Sequence, residues 1–264
     1  MDRLVMPYYL RRHDKVLNGV ETCCLFLGYP RSGHSLIGSF LDAHPEALIA
    51  HRLNAAKYFA KGMRLRQVLM LMIRNSERFA ATGRALTAYS YPIVNQWQGR
   101  YQRLRLVGDQ EGNHTARILG ESPELITHFQ AGSSLRFRLL HVVRNPYDNI
   151  ATWALRSFSS LPDMANVYFA RCQAIATVKD ALSSSMMLDI HHEMTLQDPA
   201  YQIRRLLNFL DLPEIEGYID ACVGIVNSSP NRSRHNVTWP SSLRRDIQNR
   251  IDEIPWLANY RYES

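Results

Sequence analysis

The sequence predicts an α/β fold in three layers, a mostly parallel sheet of about four to five strands with helices on both faces. Three observations predict it. Short apolar runs of strand length alternate with longer segments whose apolar residues recur at helical spacing. Two of those runs end in polar loops that open directly into a helix, the arrangement that aims backbone N–H groups at an anion. The chain of 264 residues is 46% hydrophobic and 21% charged, ordinary globular values for one domain spanning 1–264.

The elements follow in order. Residues 22–27, Thr-Cys-Cys-Leu-Phe-Leu, form an apolar first strand that stops at Gly28, and Leu36, Ile37, Phe40 and Leu41 then carry a helix. Residues 47–50 are a second strand, and 63–80, rich in Leu, Met and Val, form a helix whose methionines read as core. A third strand, 104–107, ends at Gly108-Asp109, and 123–130 is helical. Residues 139–143 read as a central strand, terminated by Asn145-Pro146 with a helix from Tyr147 onward. Helices over 163–182, 200–209 and 241–254 and a strand over 186–190 complete the pattern. Ligands of such folds belong at the carboxyl edge of the sheet.

Gly28-Tyr29-Pro30-Arg31-Ser32-Gly33-His34-Ser35 is the most informative stretch. It has the spacing of a Walker A loop, G-x-x-x-x-G-K-[ST], which makes the fold P-loop-like, but His34 replaces the lysine. A neutral imidazole is a poor substitute for that fixed charge, and Arg31 supplies a cation within the loop instead. Gly28-Tyr29-Pro30-Arg31-Ser32-Gly33-His34-Ser35-Leu36 resembles the 5′-phosphosulfate loop of sulfotransferases, enzymes that use 3′-phosphoadenosine 5′-phosphosulfate (PAPS) as sulfuryl donor. A second stretch, Arg144-Asn145-Pro146-Tyr147-Asp148 with Thr152 eight residues after the arginine, resembles the family's 3′-phosphate element. An arginine at a strand end and a hydroxyl two turns into the next helix can converge on one phosphate, which the guanidinium fork suits. A third, softer likeness covers 186–212, where His192 stands at the family's adenine-side tyrosine.

The resemblance implies a donor site made of Arg31, Ser32, Gly33, His34, Ser35, Arg144, Thr152 and His192. Arg232 and Arg234, in the polar loop 227–235, are expected to close over the 3′-phosphate as a basic C-terminal loop does in many sulfotransferases. Arg31 is also expected to act catalytically on the breaking S–O bond. A sulfuryl group carries less charge than a phosphoryl group, so no metal is required to neutralise it. His191 and His192, read as strand neighbours pointing oppositely, make no metal pair. Many relatives carry a catalytic glutamate beyond a His-Pro pair. Here the pair is His44-Pro45 and that position falls on or beside Arg52, which cannot act as a base. Adjacent His51 is the first candidate base, with Asp109, Glu111 and His114 as a second group.

The chain's formal charge of +7 suits an anionic ligand. No lysine-rich tract or aromatic-interleaved basic stripe points to nucleic acid. Cys23, Cys24, Cys172 and Cys222 show no C-x-x-C spacing and read as thiols of a reducing compartment. With no signal-peptide core over 1–7 and no run approaching ~20 apolar residues, the expectation is a cytoplasmic protein without a membrane partner. Its oligomeric state is not legible. Three functions compete: a PAPS-dependent sulfotransferase of a small hydroxylated or amino metabolite or natural product, a Mg²⁺-dependent P-loop kinase of small molecules, and a catalytically weak nucleotide-binding protein. Tyr89, Tyr91, Trp97 and Tyr101 either line an acceptor pocket or pack structurally.

Overall fold

β1 (Thr22–Gly28) is central because both of its faces are apolar and buried along its whole length. In the computed structural model, which describes residues 14–84, 91–227 and 229–264, it pairs in parallel with β3 (Leu106–Asp109) on one side and β4 (Arg136–Val143) on the other. β2 (Ala47–Ala50) adds beyond β3 and β5 (Met187–His191) beyond β4, giving the all-parallel order β2-β3-β1-β4-β5. Alternation along β1 sends Cys23, Leu25 and Leu27 into one core and Cys24 and Phe26 into the other. All four cysteines are buried and free, and burial pushes their thiols up, those of Cys172 and Cys222 to about 12.

Twelve α-helices are present among the described residues. α1 (Asp14–Gly19), α2 (His34–Asp42), α3 (Ala55–Ala60), α4 (Leu65–Ala81), α5 (Gly112–Glu121) and α6 (Glu124–Ala131) precede β4. α7 (Pro146–Ser157), α8 (Leu161–Ala181), α9 (His192–Gln197), α10 (Pro199–Phe209), α11 (Tyr218–Val223) and α12 (Ser241–Asp252) follow it. The larger core gathers Met70 and Ile73 of α4, Leu119 of α5, Tyr168 and Ile175 of α8, and Ile247 of α12. The other gathers Ile37 and Phe40 of α2, Ile203 and Leu206 of α10, and Tyr218 of α11. The five predicted strands are present within two residues of their expected starts, except that β4 begins three residues earlier. α1, α3, α5, α9 and α11 were not foreseen. Four of them are six residues long, too short to show a period, and α5 opens on Gly112-Asn113-His114, a sequence that reads as a turn.

Caps set the helices that matter to the site. Asn145 accepts the Tyr147 N–H at 3.0 Å and Pro146 occupies the first turn of α7, so the chain turns sharply from β4 into that helix. Glu111 caps α5 by accepting the His114 N–H at 3.2 Å. Two buried ion pairs brace the frame. Asp42, at the end of α2, holds Arg84 at 2.5 Å and accepts the Ser76 hydroxyl at 2.8 Å and the Ile49 N–H at 2.7 Å. Asp148 of α7 holds Arg234 at 2.7 Å and accepts its N–H at 3.0 Å, while Arg234 also donates to the Ser264 carbonyl.

Removing one member of a buried pair strands the other charge. Arg234→Ala is expected to cost about 3–5 kcal/mol of unfolding free energy, measured as a lower urea midpoint. A midpoint equal to wild type would show that the pair contributes nothing to stability.

Candidate active site

The loop after β1 is shaped by left-handed backbone: Gly28 at φ 143, Arg31 at φ 72 and Gly33 at φ 107. Ser32 is fully buried and spent on the turn, its hydroxyl donating to the Tyr29 carbonyl at 2.5 Å and accepting the Tyr29 N–H at 3.3 Å. Gly33 then starts α2 without a side-chain cap; its carbonyl takes the Leu36 N–H at 3.0 Å, and the start of the helix at His34 and Ser35 lines the cavity with Arg31. Ser32 therefore builds the loop without lining the cavity.

His34 does not take the place of the missing lysine. Its Nε2 donates to the Leu27 carbonyl at 3.1 Å, and burial holds its pKa down at about 4, so the ring is neutral. The ring sits against two glycines: an added Cβ would come within 2.7 Å of Nε2 at Gly28 and within 2.3 Å at Gly112. The loop's cation is Arg31, which is exposed and lines the cavity.

One strand over, Arg144 at the end of β4 lines the same cavity and is largely buried. It donates to the Arg31 carbonyl at 3.1 Å and to the Asn231 carbonyl. Thr152, two turns into α7, donates to Ser233 Oγ at 2.8 Å, and Ser233 donates to Asn231 Oδ1 at 3.2 Å. The C-terminal loop thus meets this element through Asn231 and Ser233. The two arginines expected there do not take part: Arg234 is buried on Asp148, and Arg232 is exposed and does not line the cavity. His192 begins α9 rather than continuing β5, so the strand-neighbour reading of His191 and His192 fails. His191 turns to the Tyr260 hydroxyl, whereas the His192 ring lies over Gly33, where a Cβ would meet its Nδ1 at 2.6 Å. That Nδ1 is buried without a hydrogen-bond partner, and burial, then Arg144, keeps the His192 pKa near 4.

The ends of β2 and β3 form the other wall. His51 stacks on Phe79 with ring centroids 3.8 Å apart, and its Nδ1 accepts the Gln110 amide N–H. Burial, then the Arg52 and Arg84 charges, hold its pKa at about 4, so its accessible proton chemistry is weak. Asp109 is fully buried and accepts the N–H groups of Leu53 at 3.1 Å and Ala55 at 2.7 Å, which makes it a scaffold for the turn after β2. Glu111 is buried at the cavity wall and accepts from His114 Nδ1 at 3.1 Å, with Arg52 Nε 3.7 Å away. Burial raises the Glu111 carboxyl, but the His114 N–H bonds and charge together with His34 outweigh it, and it is held below its ordinary value. Because Nδ1 of His114 donates to a carboxylate, the neutral ring presents an Nε2 lone pair. His114 is half-exposed and lines the cavity.

The cavity, about 620 Å³, therefore joins a helix N-terminus with two arginines to a carboxylate-held histidine. Such a site can bind a multiply charged nucleotide on one side and remove a proton on the other. Of the four aromatic acceptor-side candidates, Tyr91 lines the cavity, Trp97 and Tyr101 do not, and Tyr89 falls outside the described residues. Asn231, Asn227 and Ser229 line it unforeseen. Among the described residues no group of three His, Cys, Asp or Glu could hold a metal ion, and no helix is long and apolar enough to cross a membrane.

Residues 25–216 match the family described as "Sulfotransferase family". No curated protein matches the sequence. Among solved structures, the sulfotransferase domain of the Synechococcus PCC 7002 olefin synthase superposes with TM-score 0.56 at 14% identity, covering 88% of this chain and 94% of that one. The sulfotransferase domain from the curacin biosynthetic pathway gives 0.56 at 14%, covering 89% and 97%. Sulfotransferase STF9 from Mycobacterium avium gives 0.55 at 13%, covering 99% and 83%. At these identities the likeness is one of fold.

The neutral imidazoles fix a pH dependence. His34, His51 and His192 have folded pKa values of about 4 against 6.5 for the free ring, so the unfolded chain binds more protons between those values. Stability then rises with pH across that window and is lost on acidification, by about 1.4 kcal/mol per pH unit for each excess proton. Asp109, raised to about 7 chiefly by burial, and Asp148, raised for the same reason, act in the opposite sense. Three histidines outweigh them, with lowered His44, His141 and His191 adding to the same sign. The urea midpoint should fall between pH 6.5 and 5; a flat midpoint would show that these rings protonate in the folded protein.

Proposed function

The chain belongs to the sulfotransferase family, whose members are PAPS-dependent enzymes, and from that premise we propose that it transfers a sulfuryl group from PAPS to a hydroxyl or amine of a small metabolite or natural product. The whole chain is read as one such domain, cytoplasmic, acting on a free small molecule without nucleic acid or membrane. One observation carries the reading: Arg144 with Thr152, the phosphate loop, and His114 held by Glu111 share one cavity, in that order along the sheet edge. PAPS, when bound, supplies an activated sulfuryl group on its 5′-phosphate.

The first-turn N–H groups of α2, with Ser35 and Arg31, hold the 5′-side anion and stabilise charge on the bridging oxygen. Arg144 and Thr152 take the 3′-phosphate, and His192 over Gly33 borders the base. As a new O–S bond forms at the acceptor oxygen and the O–S bond to the 5′-phosphate breaks, Nε2 of His114 receives the acceptor's proton. Glu111 keeps the productive tautomer and steadies the imidazolium. His114 thus takes the role first assigned to His51, whose Nδ1 is occupied by Gln110. The kinase alternative is disfavoured by His34, whose neutral ring faces the Leu27 carbonyl where a fixed cation is needed.

3′-Phosphoadenosine 5′-phosphate (PAP) at 100 times its dissociation constant is expected to add about 2.7 kcal/mol of stability, seen as a rise in melting temperature without metal. Adenosine 5′-phosphate should give less, and Arg144→Ala should abolish the difference. A rise with ATP–Mg²⁺ alone would overturn the sulfotransferase reading in favour of the kinase. With the PAP response intact, His114→Gln should lower kcat about 10²–10⁴-fold. If His51→Ala shows that loss and His114→Gln does not, the base is His51.

A further inference from the structure

We propose that the acceptor carries a carboxylate close to the group that is sulfated, and that Arg52 binds it. The inference rests on the sulfotransferase reading and adds the acceptor's chemical class. Arg52 lines the cavity from the turn after β2 with φ 53, a left-handed conformation unusual for a long side chain. The residues around it are pinned. The His51 N–H bonds Asn75 Oδ1 at 2.6 Å, and the Leu53 and Ala55 N–H groups bond the buried Asp109 carboxyl. Strain that its neighbours fix this firmly at a cavity wall points to a use for the side chain.

That side chain is poorly occupied within the protein. It is 60% exposed, and its nearest acidic contact is Glu111 Oε2, 3.7 Å from Nε, too long for a hydrogen bond. Among the described residues neither Nη atom makes a hydrogen bond. Glu111 itself is engaged by the His114 N–H and ring.

Arg52 is also badly placed for the donor. β2 lies three strand spacings from β4, about 14 Å, so Arg52 cannot share a 3′-phosphate with Arg144. His34 and His51, whose rings feel the Arg52 charge, are kept neutral by burial. A guanidinium fork with both ends free suits a planar carboxylate in bidentate contact. The Arg52–Glu111–His114 succession then sets the reacting hydroxyl beside the base while the carboxylate rests on Arg52. A compact hydroxy acid satisfies both.

The test compares 4-hydroxybenzoate, 4-hydroxyphenylacetate and 3-hydroxybutanoate with their methyl esters, using PAPS as donor. The wild type should favour at least one acid over its ester by tenfold or more in kcat/KM, chiefly through KM. Arg52→Gln should bring that ratio close to one, and Arg52→Lys should restore part of it, while each variant keeps the PAP-induced rise in melting temperature. Equal use of acid and ester, retention of the preference in Arg52→Gln, or absence of product from every acid in protein that binds PAP would overturn the carboxylate assignment. Absence of any PAP response in the wild type would instead overturn the sulfotransferase reading beneath it.

Discussion

The seat of His34 between the backbones of Gly28 and Gly112 is the contact on which both walls of the cavity depend. Gly28 ends β1 and Gly112 begins α5, so one imidazole spaces the phosphate loop from the segment that carries Glu111 and His114. Only residues without a Cβ allow that approach, since an added carbon at either position would overlap the ring. The bond from Nε2 to the Leu27 carbonyl fixes the ring and its tautomer together. A lysine at position 34 would bring charge to the loop but could not fill this gap between two strands' ends.

Charge in the cavity follows from that packing. Histidines 34, 51 and 192 all border it, and burial holds each near a pKa of 4. They contribute shape and hydrogen bonds, leaving Arg31, Arg52, Arg144 and Arg156 as the cationic lining and Glu111 as the acidic one. Fixed guanidinium charges do not vary with pH in the neutral range. In the proposed function, binding and proton transfer therefore fall to different side chains.

The five strands and the glycine-bounded loop after β1 were legible because apolar runs and glycine spacing are local signals, whereas the order β2-β3-β1-β4-β5 is set by long-range pairing that no local signal carries. Arg144 and Thr152 were legible for a similar reason: a strand end and the helix that follows it fix their relation within eight residues. The C-terminal loop was not. Its basic residues pointed to Arg232 and Arg234, but Asp148 draws Arg234 into the interior, and the contacts to Arg144 and Thr152 fall to a carbonyl and a hydroxyl, which composition does not distinguish. His51 was likewise a sound chemical choice from adjacency to Arg52, and only the folded chain reveals that Gln110 from the end of β3 occupies its Nδ1. Glu111 and His114 were named only within a second group after the third strand, and what the sequence did not show was their pairing, a capping carboxylate three residues before a histidine behind a Gly-Asn start that reads as a turn.

Arg144 has a structural part in the site as well as the binding part proposed for it. Its guanidinium joins the Arg31 carbonyl of the phosphate loop to the Asn231 carbonyl of the C-terminal loop, two segments with no shared strand or helix. A guanidinium has five N–H donors, so these two bonds leave donors for a phosphate while fixing the plane in which they lie. Thr152 repeats the arrangement through Ser233, which in turn meets the Asn231 side chain. Both proposed 3′-phosphate ligands therefore lean on the same residue, Asn231. Order in the C-terminal loop and order in the proposed donor site are coupled through that residue, which carries no charge and belongs to neither sequence motif.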